Sequence, residues 1–145
     1  TGGNKLAPGK HGNGVLADGD SRTNFPDIGI RHADQALSIS LWLKPGENYK
    51  RAVVFSNTSS FDIPFSGYEL LMEEGRLTWN LARELPGCAA SITTTQTIPT
   101  GEWTHVTVTH DGSRKAAGSK IFAITTSAAA WVSPHAGATS DYAAE

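Results

Sequence analysis

In Leu37-Ser38-Ile39-Ser40-Leu41-Trp42-Leu43 every odd position is aliphatic, and serine stands at 38 and 40. A period of two puts the aliphatic side chains on one face of an extended chain and the hydroxyls on the other. This is the pattern of a strand with one side on a core, and a helix cannot present it. Lys44-Pro45-Gly46 ends the run, because proline lacks the N–H that a ladder needs and glycine favours a turn.

Similar runs follow at short intervals. Arg51-Ala52-Val53-Val54-Phe55-Ser56 is rich in strand formers, and Asn57-Thr58-Ser59-Ser60 breaks it. The segments 67–73 and 76–81 flank Glu74-Gly75, which reads as a hairpin turn with positive φ at the glycine. Ser91-Ile92-Thr93-Thr94-Thr95 is a weaker strand, and Pro99-Thr100-Gly101 a turn. The segment 103–110 is dense in β-branched residues, Asp111-Gly112 closes it, and Lys120-Ile121-Phe122 begins another strand. No apolar stripe at helical spacing is sustained before residue 120. Many short strands with regular turns predict an all-β sandwich or barrel.

With 145 residues, 39% of them hydrophobic, the chain can bury one core and has no room for a second. The net charge of −2 gives no overall field for gathering nucleic acid or anionic lipid, so neither is an expected partner. No stretch approaches the roughly 18 apolar residues of a membrane span, so membrane insertion is not expected. The single cysteine, Cys88, rules out an internal disulfide and any Cys-x-x-Cys metal, redox or haem motif. It reads either as a passive thiol or as the partner of a cysteine elsewhere. The chain opens Thr1-Gly2-Gly3-Asn4 without an initiator methionine, so its true N-terminus is expected elsewhere.

Residues 123–145 read differently. Ser127-Ala128-Ala129-Ala130, Pro134-His135-Ala136-Gly137-Ala138 and Tyr142-Ala143-Ala144-Glu145 hold no alternation. Two explanations stand open: a flexible tail or linker, or a frame error or gene-fragment end in place of native final strands. Either reading leaves an unpaired sheet edge after residue 122 and predicts self-association through it.

Candidate chemistry is sparse. Serine, histidine and aspartate all occur, but no Gly-x-Ser-x-Gly elbow does. His105 and His110 differ by five, so on one strand they face opposite sides. His105 shares a face with Trp103 and reads as a partly buried histidine, while His110, beside the turn, reads as exposed. Asp18 and Asp20, with Asp27 and Asp34 further on, offer oxygen ligands to calcium. Asp18-Gly19-Asp20 lacks the spacing of an EF-hand loop, and turn chemistry explains it equally well. For sugar binding the large rings are Trp42, Trp79 and Trp103. Trp42 is out of phase with Leu41 and Leu43: either it contacts a second sheet while the leucines lie outward, or it is an exposed platform. Trp79-Asn80-Leu81-Ala82-Arg83 is the most ligand-like run, with Trp79, Leu81 and Arg83 on one face and Asn80 beside them. A strand tryptophan is nonetheless more often core than platform.

Three segments carry a resemblance. Gly12-Asn13-Gly14-Val15-Leu16-Ala17-Asp18-Gly19-Asp20, Leu37-Ser38-Ile39-Ser40-Leu41-Trp42-Leu43-Lys44-Pro45 and Gly101-Glu102-Trp103-Thr104-His105-Val106-Thr107-Val108-Thr109-His110-Asp111-Gly112-Ser113 resemble the bacterial laminin-G-like, concanavalin A-like lectin/glucanase domain. Its usual pattern is G-x-A-L-x-F-D-G, then S-I-S-L-W-V-K-P, then W-T-H-V-A-V-T-Y-D-G-S. Segments 67–77 and 113–121 are similar to the version embedded in large planctomycete-type exported proteins, beside cytochrome-c-like domains.

The resemblance implies a two-sheet antiparallel jelly-roll sandwich over residues 10–122, after a linker at 1–9. Beyond Phe122 the chain departs from the family, which implies a sandwich lacking its final strands. Family glucanases carry Glu-x-Asp-x-Glu on one strand; here Glu69-Leu70-Leu71-Met72-Glu73 has Leu71 in place of the middle acid. Residues i and i+4 of a strand also stand about 13 Å apart, beyond the roughly 5–9.5 Å between glycosidase carboxylates. The expectation is therefore a non-catalytic binding or adhesion module of a larger exported protein, recognising a glycan or a protein surface. Trp42, Trp79, Asn80 and Arg83 are its candidate contacts, with calcium at Asp18 and Asp20 as the one cofactor in view. A structural spacer in a multidomain redox or degradative enzyme is the alternative, and a glycoside hydrolase a distant third. Fold alone does not choose among these.

Overall fold

A computed structural model describes residues 3–19, 23, 35–58, 65–85, 89–113, 115–125 and 131–133. Among the described residues there are ten strands: β1 (Lys5–Pro8), β2 (Asn13–Leu16), β3 (Leu37–Leu43), β4 (Arg51–Thr58), β5 (Phe65–Glu73), β6 (Arg76–Leu85), β7 (Ala89–Thr93), β8 (Thr104–His110), β9 (Ser119–Thr125) and β10 (Trp131–Ser133). A single 3₁₀ turn, Ala116–Gly118, precedes β9, and the described residues hold no α-helix. None of their helices is long and apolar enough to cross a membrane.

The strands form two four-stranded antiparallel sheets, β10-β9-β8-β3 and β4-β5-β6-β7, and a separate β1-β2 hairpin. Both sheets contribute to one hydrophobic core, as in a concanavalin A-like jelly-roll sandwich. Tyr68, Leu70 and Met72 of β5 and Leu77, Trp79 and Leu81 of β6 meet Val106 and Val108 of β8 and Ile121 and Ala123 of β9. Leu37, Ile39, Leu41 and Leu43 pack against this cluster from β3. The alternation in β3 therefore points its aliphatic residues inward, and Trp42 faces out.

The turns follow from their residues. Glu74 and Gly75 join β5 to β6 with φ of 49° and 78°, the two positive angles that let a two-residue loop match the twist of its strands. The chain after β7 then wraps this turn: Ile98 N–H donates to Gly75 C=O at 2.7 Å and Thr94 N–H to Leu77 C=O at 2.8 Å.

Three expectations need correction. The segment expected to be a linker at 1–9 contains β1, paired with β2 in the register Lys5↔Leu16 to Pro8↔Asn13. The sandwich does not stop at Phe122: β9 continues to Thr125, with Ala123 wholly buried. Trp131–Ser133 then pairs with Ala123, Phe122 and Ile121, so the edge expected to be left open there carries β10. Of the tail, only 123–125 and 131–133 are described.

Candidate functional site

Alternation fixes which side chains of the β3-β8-β9 sheet face outward. Leu41 pairs with Val106 and Trp42 with His105, so the inner and outer rows cross all three strands in step. The outer rows read Trp42–His105–Ile124, Ser40–Thr107–Phe122 and Ser38–Thr109–Lys120. Strand β8 has the burial of a half-covered sheet: Thr104, Val106, Val108 and His110 are buried, and His105, Thr107 and Thr109 partly so.

Trp42 is the centre of this face. Its ring lies 4.9 Å from that of His105 at 44° and 5.6 Å from that of His11, edge-on at 66°. The Lys10 ammonium stands over it, 5.5 Å from the centroid, within the range of a cation–π contact. Lys10 and His11 belong to the tip of the β1-β2 hairpin, where Gly9 N–H donates to Gly12 C=O at 2.8 Å. Ser40 Oγ lies 2.7 Å from His105 Nε2, and the Thr107 hydroxyl donates to Ser40 Oγ at 3.3 Å. Indole, imidazole, two hydroxyls and a lysine thus converge on one partly exposed surface.

Trp103, just before β8, repeats the motif, with the Lys44 ammonium 5.9 Å from its centroid. Trp42 was legible as outward or inward from its phase, and the structure places it outward. Ser40 and Thr107 were not singled out. Their signal was available, since in-phase polar residues on neighbouring strands meet once the register is known.

Trp79 lies elsewhere. Its side chain is 0% exposed, in the core against Tyr68 at 5.5 Å and Phe55 at 6.1 Å. It has no surface to offer a ligand, which corrects its reading as a platform; in-phase Leu77 and Leu81 carry it inward. Asn80 faces the other side of the sheet, where its amide donates to Glu69 Oε1 at 2.9 Å. Arg83 continues β6, and its side chain lies outside the described residues. The run at 79–83 therefore does not gather around one site.

His110 is also corrected. It is 2% exposed, not exposed at a turn, and its Nδ1 lies 2.9 Å from Ser119 Oγ. Position 110 keeps the inward phase of Val106 and Val108. Glu69 and Glu73 share the outer face of β5 but are held apart: Glu69 by Asn80, and Glu73 by Arg51 at 3.2 Å. Leu71 between them is 2% exposed. Asp18 N–H donates to the Asn4 side-chain oxygen at 3.0 Å, closing the open end of the hairpin. Asp20, Asp27, Asp34 and Cys88 lie outside the described residues. Among those described, no three His, Cys, Asp or Glu side chains group to hold a metal.

A laminin-G-type family model, described as the concanavalin A-like lectin/glucanases superfamily, matches residues 17–123. Comparison with curated proteins and with solved structures finds no match. The matched span runs from the end of the β1-β2 hairpin to the middle of β9, taking in one sheet whole and the other except for the end of β9 and β10, so the chain belongs to the concanavalin A-like lectin/glucanases superfamily.

Proposed function

We propose that this domain is a non-catalytic carbohydrate-binding module of a larger exported protein. The observation that carries this is the outward-facing Trp42 with Ser40, Thr107 and His105 ranged beside it. A sugar presents an apolar C–H face and a rim of hydroxyls. An indole gives the first a surface to lie on, and hydroxyl and imidazole groups exchange hydrogen bonds with the second.

The same face supports binding over catalysis. Ser40 and His105 are within the reach of a nucleophile and its base, but acyl transfer also needs backbone N–H groups free to stabilise an oxyanion. Strand β8 lies between β3 and β9, so its N–H groups serve the ladders on either side, and those along the outer edge of β3 point in the plane of the sheet, away from the face that bears Ser40 Oγ. Hydrolysis of a glycosidic bond needs two facing carboxylates, and the outer positions of β3, β8 and β9 carry none.

The test is affinity electrophoresis and calorimetry against a panel of neutral and acidic polysaccharides. Binding by the native chain, weakened about tenfold or more in Trp42→Ala with an unchanged circular dichroism spectrum, is the expected result. Silence of the native chain on the whole panel would sink the reading and leave the domain a spacer.

A further inference from the structure

The chain carries 14 acidic and 12 basic side chains, yet they are not evenly spread. The outer face of the β3-β8-β9 sheet holds Lys120 in its third row and Lys44 over Trp103, and the hairpin tip lays Lys10 over Trp42. All three lysines are exposed. No aspartate or glutamate occupies an outward position of β3, β8 or β9. Acids lie near its margins, and Glu102 immediately precedes Trp103. Asp111, past the end of β8, accepts the Ser113 N–H at 2.8 Å, and Asp18 sits at the hairpin's far, open end. A molecule of net charge −2 has thus set aside one face for cations and rings.

The spacing of those cations narrows the ligand. Lys44 follows Trp42 by two residues, about 7 Å along the chain, whereas the Lys120 position lies four residues along and two strands across from Trp42, about 13 Å by about 10 Å. Single lysines so placed suit a chain that bears one carboxylate to a sugar ring, the C–H face of the ring lying on indole. A densely charged polyanion would favour clustered cations and arginine forks, and the outer strand positions carry no arginine.

We infer that this face binds a uronate-bearing polysaccharide, Trp42 and Trp103 supporting its sugar rings and Lys10, Lys44 and Lys120 its carboxylates. The inference rests on the carbohydrate-binding reading and adds the charge of the ligand. Lysine point charges at an exposed surface act through a screened field, so the association is salt-sensitive.

The experiment compares polygalacturonate, neutral dextran, dextran sulfate and poly-glutamate as ligands of the native chain and of a Lys10→Gln/Lys44→Gln/Lys120→Gln variant. Polygalacturonate is expected to bind at least about tenfold more tightly than dextran, and to lose that margin on raising salt from about 0.05 to 0.5 M. The triple variant is expected to lose it too, while keeping its spectrum and thermal midpoint. Equal, salt-independent binding of dextran would overturn the inference and leave the carbohydrate reading standing. Preference for dextran sulfate would overturn the assignment to uronate. Poly-glutamate binding as tightly as polygalacturonate would show a general polyanion surface and overturn the choice of a sugar. Binding of none of the four would overturn the uronate assignment, and the polysaccharide panel then decides the carbohydrate reading.

Discussion

Trp79 and Trp42 stand in strands of similar composition, each flanked by leucines, and they meet opposite fates. Trp79 is in phase with Leu77 two residues before it and Leu81 two residues after, and it shares their burial in the core. Trp42 has Leu41 and Leu43 as immediate neighbours, so when these pack inward its ring must leave the other side of the sheet. Histidine repeats the contrast within β8: His110 follows Val106 and Val108 inward, and His105 goes out beside Trp42. The identity of an aromatic or a histidine says little about its role. Its phase against the nearest aliphatic pair says most.

The sharpest way to break this comparison is to truncate the two tryptophans. Trp79→Ala removes a fully buried ring that touches Tyr68 and Phe55 and should cost about 3–5 kcal/mol in urea unfolding. Trp42→Ala takes away a partly exposed ring and should cost about 1 kcal/mol or less, with the loss showing in polysaccharide binding. Similar unfolding costs for both would mean that phase had not separated them. Trp79→Phe sharpens the point, because the buried indole Nε1 has no hydrogen-bond partner among the described residues. Losing that N–H offsets part of the lost packing, so this variant should be markedly milder than Trp79→Ala.

The histidine pair should follow on a smaller scale. His110→Ala opens a small cavity and leaves the buried Ser119 hydroxyl without its Nδ1 contact, for about 1–3 kcal/mol. His105→Ala should change stability by about 0.5 kcal/mol or less and show instead as weaker ligand binding, through the lost Ser40 contact and ring neighbour of Trp42. Denaturant titration of the two single variants checks both values.

Most strands of the two sheets, their order along the chain and the two unlike faces of β3 were legible, because alternation and turn residues are local signals, although alternation alone left open which face of β3 meets the core. The β5-β6 hairpin was legible to the residue, since Glu74-Gly75 leaves few conformations open. What escaped were features that depend on pairing at a distance. His110 was judged by its nearness to a turn, although its phase with Val108 already pointed inward. Trp131–Ser133 lies in a segment of alanine and serine without alternation, and β9 gives it a place in the sheet. Lys5–Pro8 becomes a strand because Asn13–Leu16 folds back on it. The candidate site was half legible: Trp42 could be named, but Ser40, His105 and Thr107 join it only through the β3-β8 register.

That register ends at a turn, where inner and outer positions lie next to each other. His110 is buried, and Asp111 beside it is exposed and sits in the Asp-Gly turn, with Gly112 at φ 84°. The Ser113 hydroxyl and backbone N–H hold the Asp111 carboxyl below the usual carboxylate range, with a smaller contribution from His110. A depressed pKa means that the ionised form is favoured in the folded state. The stability it contributes is therefore fully present above the unfolded-state value and is lost as pH falls through the folded one. Exposure to water keeps this contribution small, the smallest of those considered. It should be constant around neutral pH and appear as a steeper loss of stability below about pH 4. Ser113→Ala removes the hydroxyl contact and should flatten that acid limb by lowering the neutral plateau slightly while leaving stability at the acid end unchanged. Superimposable acid limbs for the native chain and the variant would mean that the turn does not use the carboxylate to hold the end of β8. Inner and outer positions at that end would then be kept apart by the ladder alone.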